Sequence, residues 1–507
     1  MRFGRRLPVL VLVVCLGLPG IVDAAQTPLA ERDWQDVRSP NFRIISVLGQ
    51  ERTIELLRHL EVMRASLGDV GEDSTYQSTV PTVIIAVDNH EDYVSIGAPD
   101  FSAGYFISNL RENAILINDA DGDAGIQIVL HEYAHYLIKQ SGRIRYPRWF
   151  EEGNAEYLSH SRVADQAFEF ALAPKRHLAT MNFASWLPLQ RVLELNDVTE
   201  LSDEDAALFY GQSWLLVHYL RSLPDADLTI DRKLSTYSRL ASGGDSPVDA
   251  FERAFGLEVS QLQQELLQYY LDSNFVTRRI PVNTTLPGFT TRVRDMTQTD
   301  AALALGQMAL LLENTAGAEM WFTEVLADNE LRAHAEAGLG RVKGQRGDIE
   351  AASKHFENAI YLMAWDFRIW MDYAQYWAER LATSQDNKSR EKVASRLIES
   401  LESALTISAA TPELNSLMGF AYLAKGEDVH EAIEFLEAAA DAAPHDQPSR
   451  LLLARAYIFA FQPDDAIAMA ESVLQFEHQA NTITAAARDV INDAQELDSL
   501  INGSSRN

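Results

Sequence analysis

Three positions recur at a fixed interval in the second half of this 507-residue chain. Gly306, Ala318 and Phe322 return 34 residues later as Gly340, Ala352 and Phe356. The series continues with Ala374, with Gly419, Tyr422, Ala432 and Leu436, and with Ala454, Tyr457 and Ala466. A generic helical bundle keeps a 3.6-residue period but holds no register over so long a unit. Each unit is expected to be a helix pair, with Gly or Ala where the paired backbones pack closest. Gly419 follows Ala374 by 45 residues, eleven more than the period, and the polar stretch 381–391 reads as a loop insertion that accounts for the delay. Units of this kind stack only on their neighbours and need a terminal cap. A solenoid of about five repeats is therefore expected over 299–480, with a capping helix and tail in 481–507.

This pattern resembles the tetratricopeptide repeat. The resemblance implies an all-α solenoid whose groove binds a peptide or a protein partner.

A second constraint lies at residues 131–156, HEYAHYLIKQSGRIRYPRWFEEGNAE. His131 and His135, four apart on a helix, share a face and can aim both imidazoles at one spot. That suits one zinc bound at about 2.0–2.1 Å. Glu132 lies about 100° round the helix, where it can face a water on the metal as a general base. Two histidines leave a catalytic zinc one protein ligand short. Gly142 ends the first helix and Pro147 suits the first turn of a second, on which Glu152 and Glu156 share a face. Glu152 is read as the third ligand and Glu156 as the carboxylate that fixes the tautomer of a ligand histidine. Glu151 is read as a solvated charge, and Gly153 as the point where the two helices approach closely.

HExxH followed by sixteen residues and Glu-Gly-x-Ala-Glu resembles the gluzincin metallopeptidases, above all the bacterial peptidase-MA-like proteins. The resemblance covers roughly residues 35–272. It implies an α+β zincin-like domain over 31–275, one Zn2+ per chain on His131, His135 and Glu152, and Glu132 as base. In that family a tyrosine leads Gln-Ser and an apolar helix. Tyr210 is the match and the implied donor to the oxyanion, or else an aromatic packed in the core with its hydroxyl satisfied. Gluzincins also hold an edge strand above the metal that pairs with extended substrate, and residues 114–117 are the candidate.

The chain begins with Arg2, Arg5 and Arg6, an apolar run over 7–18 and a small-residue site near Ala24. That is the pattern of a cleaved signal peptide over 1–24, and it implies a periplasmic or secreted protein. The run is shorter than the roughly 20 residues a bilayer requires. It holds Cys15, the only cysteine, so the mature chain can form no disulfide. With 43 basic and 73 acidic residues the net charge is −30. The leader takes away three Arg and one Asp, which leaves −32. Such a chain is a poor partner for nucleic acid or anionic lipid. No later stretch is apolar enough for stable membrane insertion.

Residues 41–47 and 80–87 read as strands around a helical stripe at 51–68. Residues 104–107 and 114–117 read as a hairpin. Asp119, Asp121 and Asp123 mimic part of a calcium loop but lack its twelfth-position Glu, so they read as a polar turn that feeds the zinc helix. Residues 208–220 form an apolar helix, and 246–271 close the domain. His160 and His218 read as ordinary surface or core histidines. Residues 276–298, rich in Thr and Pro, read as a linker, so each half should fold alone.

The expected function is zinc-dependent hydrolysis of peptide bonds, of the endopeptidase type, with the solenoid recruiting substrate or partner. The alternative is a tetratricopeptide scaffold whose zinc domain is non-catalytic. Aminopeptidase activity has less support, since only Glu112-Asn113 echoes the strand motif that captures a substrate's amino terminus.

Overall fold

The computed structural model describes residues 10–13, 28–68, 82–100, 102–120, 122–140, 146–164, 167–282, 291–426, 428–474 and 481–504. Its strands are β1 (Leu10–Val13), β2 (Gln35–Arg38), β3 (Phe42–Ser46), β4 (Thr82–Val87), β5 (Ser102–Ser108), β6 (Asn113–Asn118), β7 (Arg162–Ala164), β8 (Ala167–Phe170), β9 (Arg278–Pro281) and β10 (Arg292–Asp295). Seven of them form one mixed sheet in the order β1-β5-β6-β4-β3-β2-β10. The β3-β4 and β4-β6 pairings are parallel and the others antiparallel.

Successive side chains of a strand point to opposite faces, and this alternation divides the sheet between two cores. Ile44, Ile84 and Ile115 join a core with Leu57 and Leu60 of α1 (Gln50–Gly68). The neighbouring Ile45, Ile85 and Leu116 join a second core with Tyr93 and Ile96 of α2 (His90–Ile96). Helix α3 (Asp123–Gln140), with Val129 and Tyr133, belongs to the first core. So do α4 (Arg148–Ser159), α5 (Lys175–Phe183), α6 (Leu189–Glu194), α7 (Asp203–Ser222), α8 (Ala226–Ser242), α9 (Pro247–Phe255) and α10 (Val259–Asp272).

The C-terminal half is built of helix pairs. They are α11 (Gln298–Leu311) with α12 (Thr315–Val325), α13 (Arg332–Gln345) with α14 (Ile349–Met363), and α15 (Phe367–Thr383) with α16 (Asn387–Leu405). Next come α17 (Pro412–Lys425) with α18 (Val429–Ala442), α19 (Gln447–Phe459) with α20 (Pro463–Leu474), and the terminal α21 (Asn481–Ser504). A Cβ on Gly306 would stand 2.7 Å from Phe322, one on Gly340 2.8 Å from Phe356, and one on Gly419 2.4 Å from Leu436. The repeating small residue therefore marks the crossing of each pair, because no methyl group fits there.

Several expectations change. Strand β6 is interior, and β5 is the outer strand of the hairpin, so residues 114–117 are not an edge. Part of the apolar leader, Leu10–Val13, adds to β5 and continues the sheet. The rest of residues 1–24, Cys15 included, and Asp121 and Gly142 lie outside the described residues. The stretch read as a linker supplies two strands: β9 pairs with β8, and β10 pairs with β2. The eleven-residue delay in the repeat is no loop, since α15 runs to Thr383 and α16 starts at Asn387. Its residues lengthen both helices, and Asp386 caps the second by accepting from the Ser389 amide. Among the described residues no helix is long and apolar enough to cross a membrane.

Candidate metal centre

Helix α3 is apolar almost throughout and lies between the sheet and the helical layer, so the polar groups on it are removed from water. His131, Glu132 and His135 are 1–2% exposed. Helix α4 starts behind Pro147, whose extended backbone precedes the first helical turn. It crosses α3 with Glu152 and Glu156 on the inner side, 1% and 5% exposed. Gly153 permits a close approach, but to a different helix than α3. Its Cβ would stand 2.3 Å from the Ser213 carbonyl oxygen of α7.

The three side chains read as ligands come together. His131 Nε2 is 3.0 Å from His135 Nε2 and 3.3 Å from Glu152 Oε2, and His135 Nε2 is 3.4 Å from that same oxygen. Ligands about 2.0–2.1 Å from a tetrahedral zinc stand roughly 3.3–3.4 Å apart. Neither Glu152 oxygen receives a well-directed hydrogen bond. Two imidazole nitrogens and a buried carboxylate turned to one point are a donor set for a cation, and the residues fit zinc. Among the described residues, His131, His135 and Glu152 form the one cluster of metal-ligating groups.

Around them lies a layer of charge. Glu156 Oε1 approaches His131 Nδ1 at 3.2 Å, on the side of the ring away from Glu152. Its other oxygen accepts from His177 Nε2 at 3.0 Å and meets His160 Nδ1 at 3.2 Å. Burial alone would raise the Glu156 carboxyl, but His177, His131 and His160 hold it well below the usual range. Burial would likewise raise Glu152, and Arg148, His135 and His131 hold it down. Burial lowers His135. It would lower His131 too, but Glu152 and Glu156 reverse this and push it up to about 10. Tyr210 on α7 is 2% exposed, its ring 6.4 Å from that of His131. Burial, and then the Glu152 charge, push its hydroxyl well above 10, so it stays protonated.

Two neighbours differ from the sequence reading. Glu151 is not a solvated charge: it is 14% exposed and lies 3.5 Å from Arg148, one helical turn before it. Arg148 also reaches Glu152 Oε1 at 3.3 Å. Its place four residues before Glu152 was visible in the helical spacing. His160 belongs to the Glu156 cluster, and His177 joins it from α5 with no local spacing to announce it. His218 is a core histidine bonded to Tyr269 Oη at 2.8 Å, with burial lowering it to about 4. Asp119 pairs with Arg52 at 2.7 Å and holds the turn before α3.

Residues 427–488 match the tetratricopeptide repeat family. The chain carries a tetratricopeptide-repeat region. It is joined to an N-terminal mixed α/β unit. Similar solved structures include a thermophilic tetratricopeptide protein of Thermus thermophilus, 17% identical over 38% of this chain and 98% of its own, TM-score 0.33. PilF of Pseudomonas aeruginosa is 18% identical over 40% and 92%, TM-score 0.32. The type IV pilus biogenesis factor PilW is 14% identical over 40% and 92%, TM-score 0.33. No curated protein matches this sequence. Repeats of this family point to protein–protein binding, and the candidate metal centre lies outside them.

Proposed function

We propose that the N-terminal unit is a zinc-dependent peptidase and that the tetratricopeptide region serves it. The observation that carries this reading is the convergence of His131, His135 and Glu152 within 3.0–3.4 Å of one another, with Glu132 buried on the helix that carries the two histidines. A zinc ion held there would supply Lewis-acid polarisation of a carbonyl and a more acidic water. Glu132 accepts a proton from the attacking water and passes it to the leaving amine. The neutral Tyr210 hydroxyl donates to the carbonyl oxygen as it gains charge. Glu156 fixes the His131 ring through Nδ1, which leaves Nε2 for the metal. Extended substrate adds to the outer edge of β5, the side that Leu10–Val13 occupies in the full chain. The leader pattern of residues 1–24 supports action in the periplasm or outside the cell.

A second reading is favoured by the repeats, which are the part with a family match: a scaffold whose metal centre is structural. Incubation with an unfolded casein separates the two. The peptidase reading expects cleavage that a chelator stops and zinc restores. A protein that binds one zinc and cleaves nothing would be the scaffold.

Metal content tests the ligand set. Glu152→Ala is expected to lose most of the zinc, and Glu151→Ala almost none. Glu156→Ala should fall between, since loss of a carboxylate behind a ligand histidine costs about 10–100-fold in affinity or activity. Equal loss from the Glu151 and Glu152 variants would remove Glu152 from the set.

A further inference from the structure

The β5–β6 turn projects from the N-terminal unit into the repeats. Arg111 at its tip donates from Nε and Nη2 to the two oxygens of Glu413 at 2.9 and 3.0 Å, and from Nη1 to Asp372. Glu413 is on α17 and Asp372 on α15, the first helices of adjacent pairs, and the first helices of successive pairs pack on one another. Arg341 on α13 extends the network to Asp372 at 3.5 Å and Glu379 at 3.2 Å. The clamp is well shielded, with the Arg111, Asp372 and Glu413 side chains 29%, 23% and 12% exposed. A bidentate guanidinium–carboxylate pair fixes direction as well as distance.

The turn itself is stiff. Asn109 Oδ1 accepts from the amides of Arg111 and Glu112 at 2.8 and 2.9 Å, and Ser108 Oγ donates to Asn113 Oδ1 at 2.8 Å. At the other end of the strand, Gly104 lies directly on α3. A Cβ there would stand 2.4 Å from Ile128 and 3.1 Å from Glu132 Oε1. One strand thus has Glu132 near its start and the repeats at its end.

We propose that Arg111 is a positioning residue: its clamp on Asp372 and Glu413 lets the tetratricopeptide region hold β5 at the height over Glu132 that substrate pairing requires. This rests on the peptidase reading only for what β5 receives. The chain's own turn then reaches the first helices α15 and α17 through Arg111. The repeats act on the site in cis.

The test uses the chain freed of its leader, residues 25–507, so that Leu10–Val13 do not compete with peptide for the outer edge of β5. Arg111→Met alone strands two shielded carboxylates, so the triple variant Arg111→Met/Asp372→Asn/Glu413→Gln, which removes the charges together, is compared with it and with Arg111→Lys. Hydrogen exchange at the β5 amides, residues 102–108, should quicken about tenfold in the triple variant while α3 and α4 keep their protection. On an unstructured peptide KM should rise about tenfold with kcat within twofold, and Arg111→Lys should lie between. Unchanged β5 exchange overturns the proposal. So does exchange that quickens equally in β5, α3 and α4 with a lower kcat at unchanged KM, the mark of general loosening. Faster exchange confined to β5, in a protein whose parent cleaves no peptide, supports the anchor and counts against the peptidase reading.

Discussion

Glu132→Gln is expected to lower kcat by about three orders of magnitude while zinc content and melting temperature stay at parental values. The amide has the size of the carboxylate, so the packing of this 1%-exposed side chain of α3 against Gly104 of β5 is kept. It cannot accept a proton, and proton transfer by a placed side chain contributes about 10²–10⁴-fold. Glu132 is also outside the converging set of His131, His135 and Glu152, so its loss should not release metal. Hydrolysis by this variant within tenfold of the parent would rule out Glu132 as the base. Loss of zinc together with activity would mean that the carboxylate is a ligand, and the geometry would have to be read again.

Removal of the repeats is expected to do more than remove a partner site. A fragment ending at residue 297 should be insoluble or melt without cooperativity. Ile45, Ile85, Val87 and Leu116, each no more than 2% exposed, belong to the same core as Leu305, Met308, Trp321 and Phe322 of α11 and α12. Burial of a large aliphatic side chain is worth about 1.5–3 kcal/mol. Four such residues represent roughly 6–12 kcal/mol, on the scale of a domain's whole stability of about 5–15 kcal/mol. Helix α2 covers part of that face, but even half the amount would leave the fragment marginal. Calorimetry of the fragment beside the full chain measures this. A cooperative transition within a few degrees of the parent would show that the halves are independent, as a simple linker between them would predict.

Tertiary packing explains why that linker reading fails. Residues 276–298 carry no sustained periodicity, and the pairing that makes strands of Arg278–Pro281 and Arg292–Asp295 is with segments more than a hundred residues away. No local pattern encodes such a pairing. The misplaced edge strand has a different cause. Residues 114–117, Ala-Ile-Leu-Ile, are apolar at every position, which is how a strand covered on both faces reads. Strand β5, with Gly104 and Tyr105 and an alternating burial pattern, is the half-open one. That signal was present in the residues, and the resemblance pointed past it.

What the sequence determined by itself is what depends on short separations along one helix or one helix pair. His131 and His135 share a face because a helix returns after four residues, and Glu152 and Glu156 share one for the same reason. Gly306 meets Phe322, and Gly340 meets Phe356, because a helix, a tight turn and a helix bring those positions together in any repeat of that length. The crossing that turns Glu152 toward the two histidines was legible only as an expectation from the motif's length. Tertiary structure alone decided what surrounds these pairs: His177 on Glu156, Gly153 against α7, the first repeat on the sheet's second face, and Arg111 between Asp372 and Glu413. Arg111 and Glu413 are 302 residues apart. Contacts at such separations depend on where whole elements stack and on which strand lies at the edge, and the pattern of residues along any one element carries no record of that.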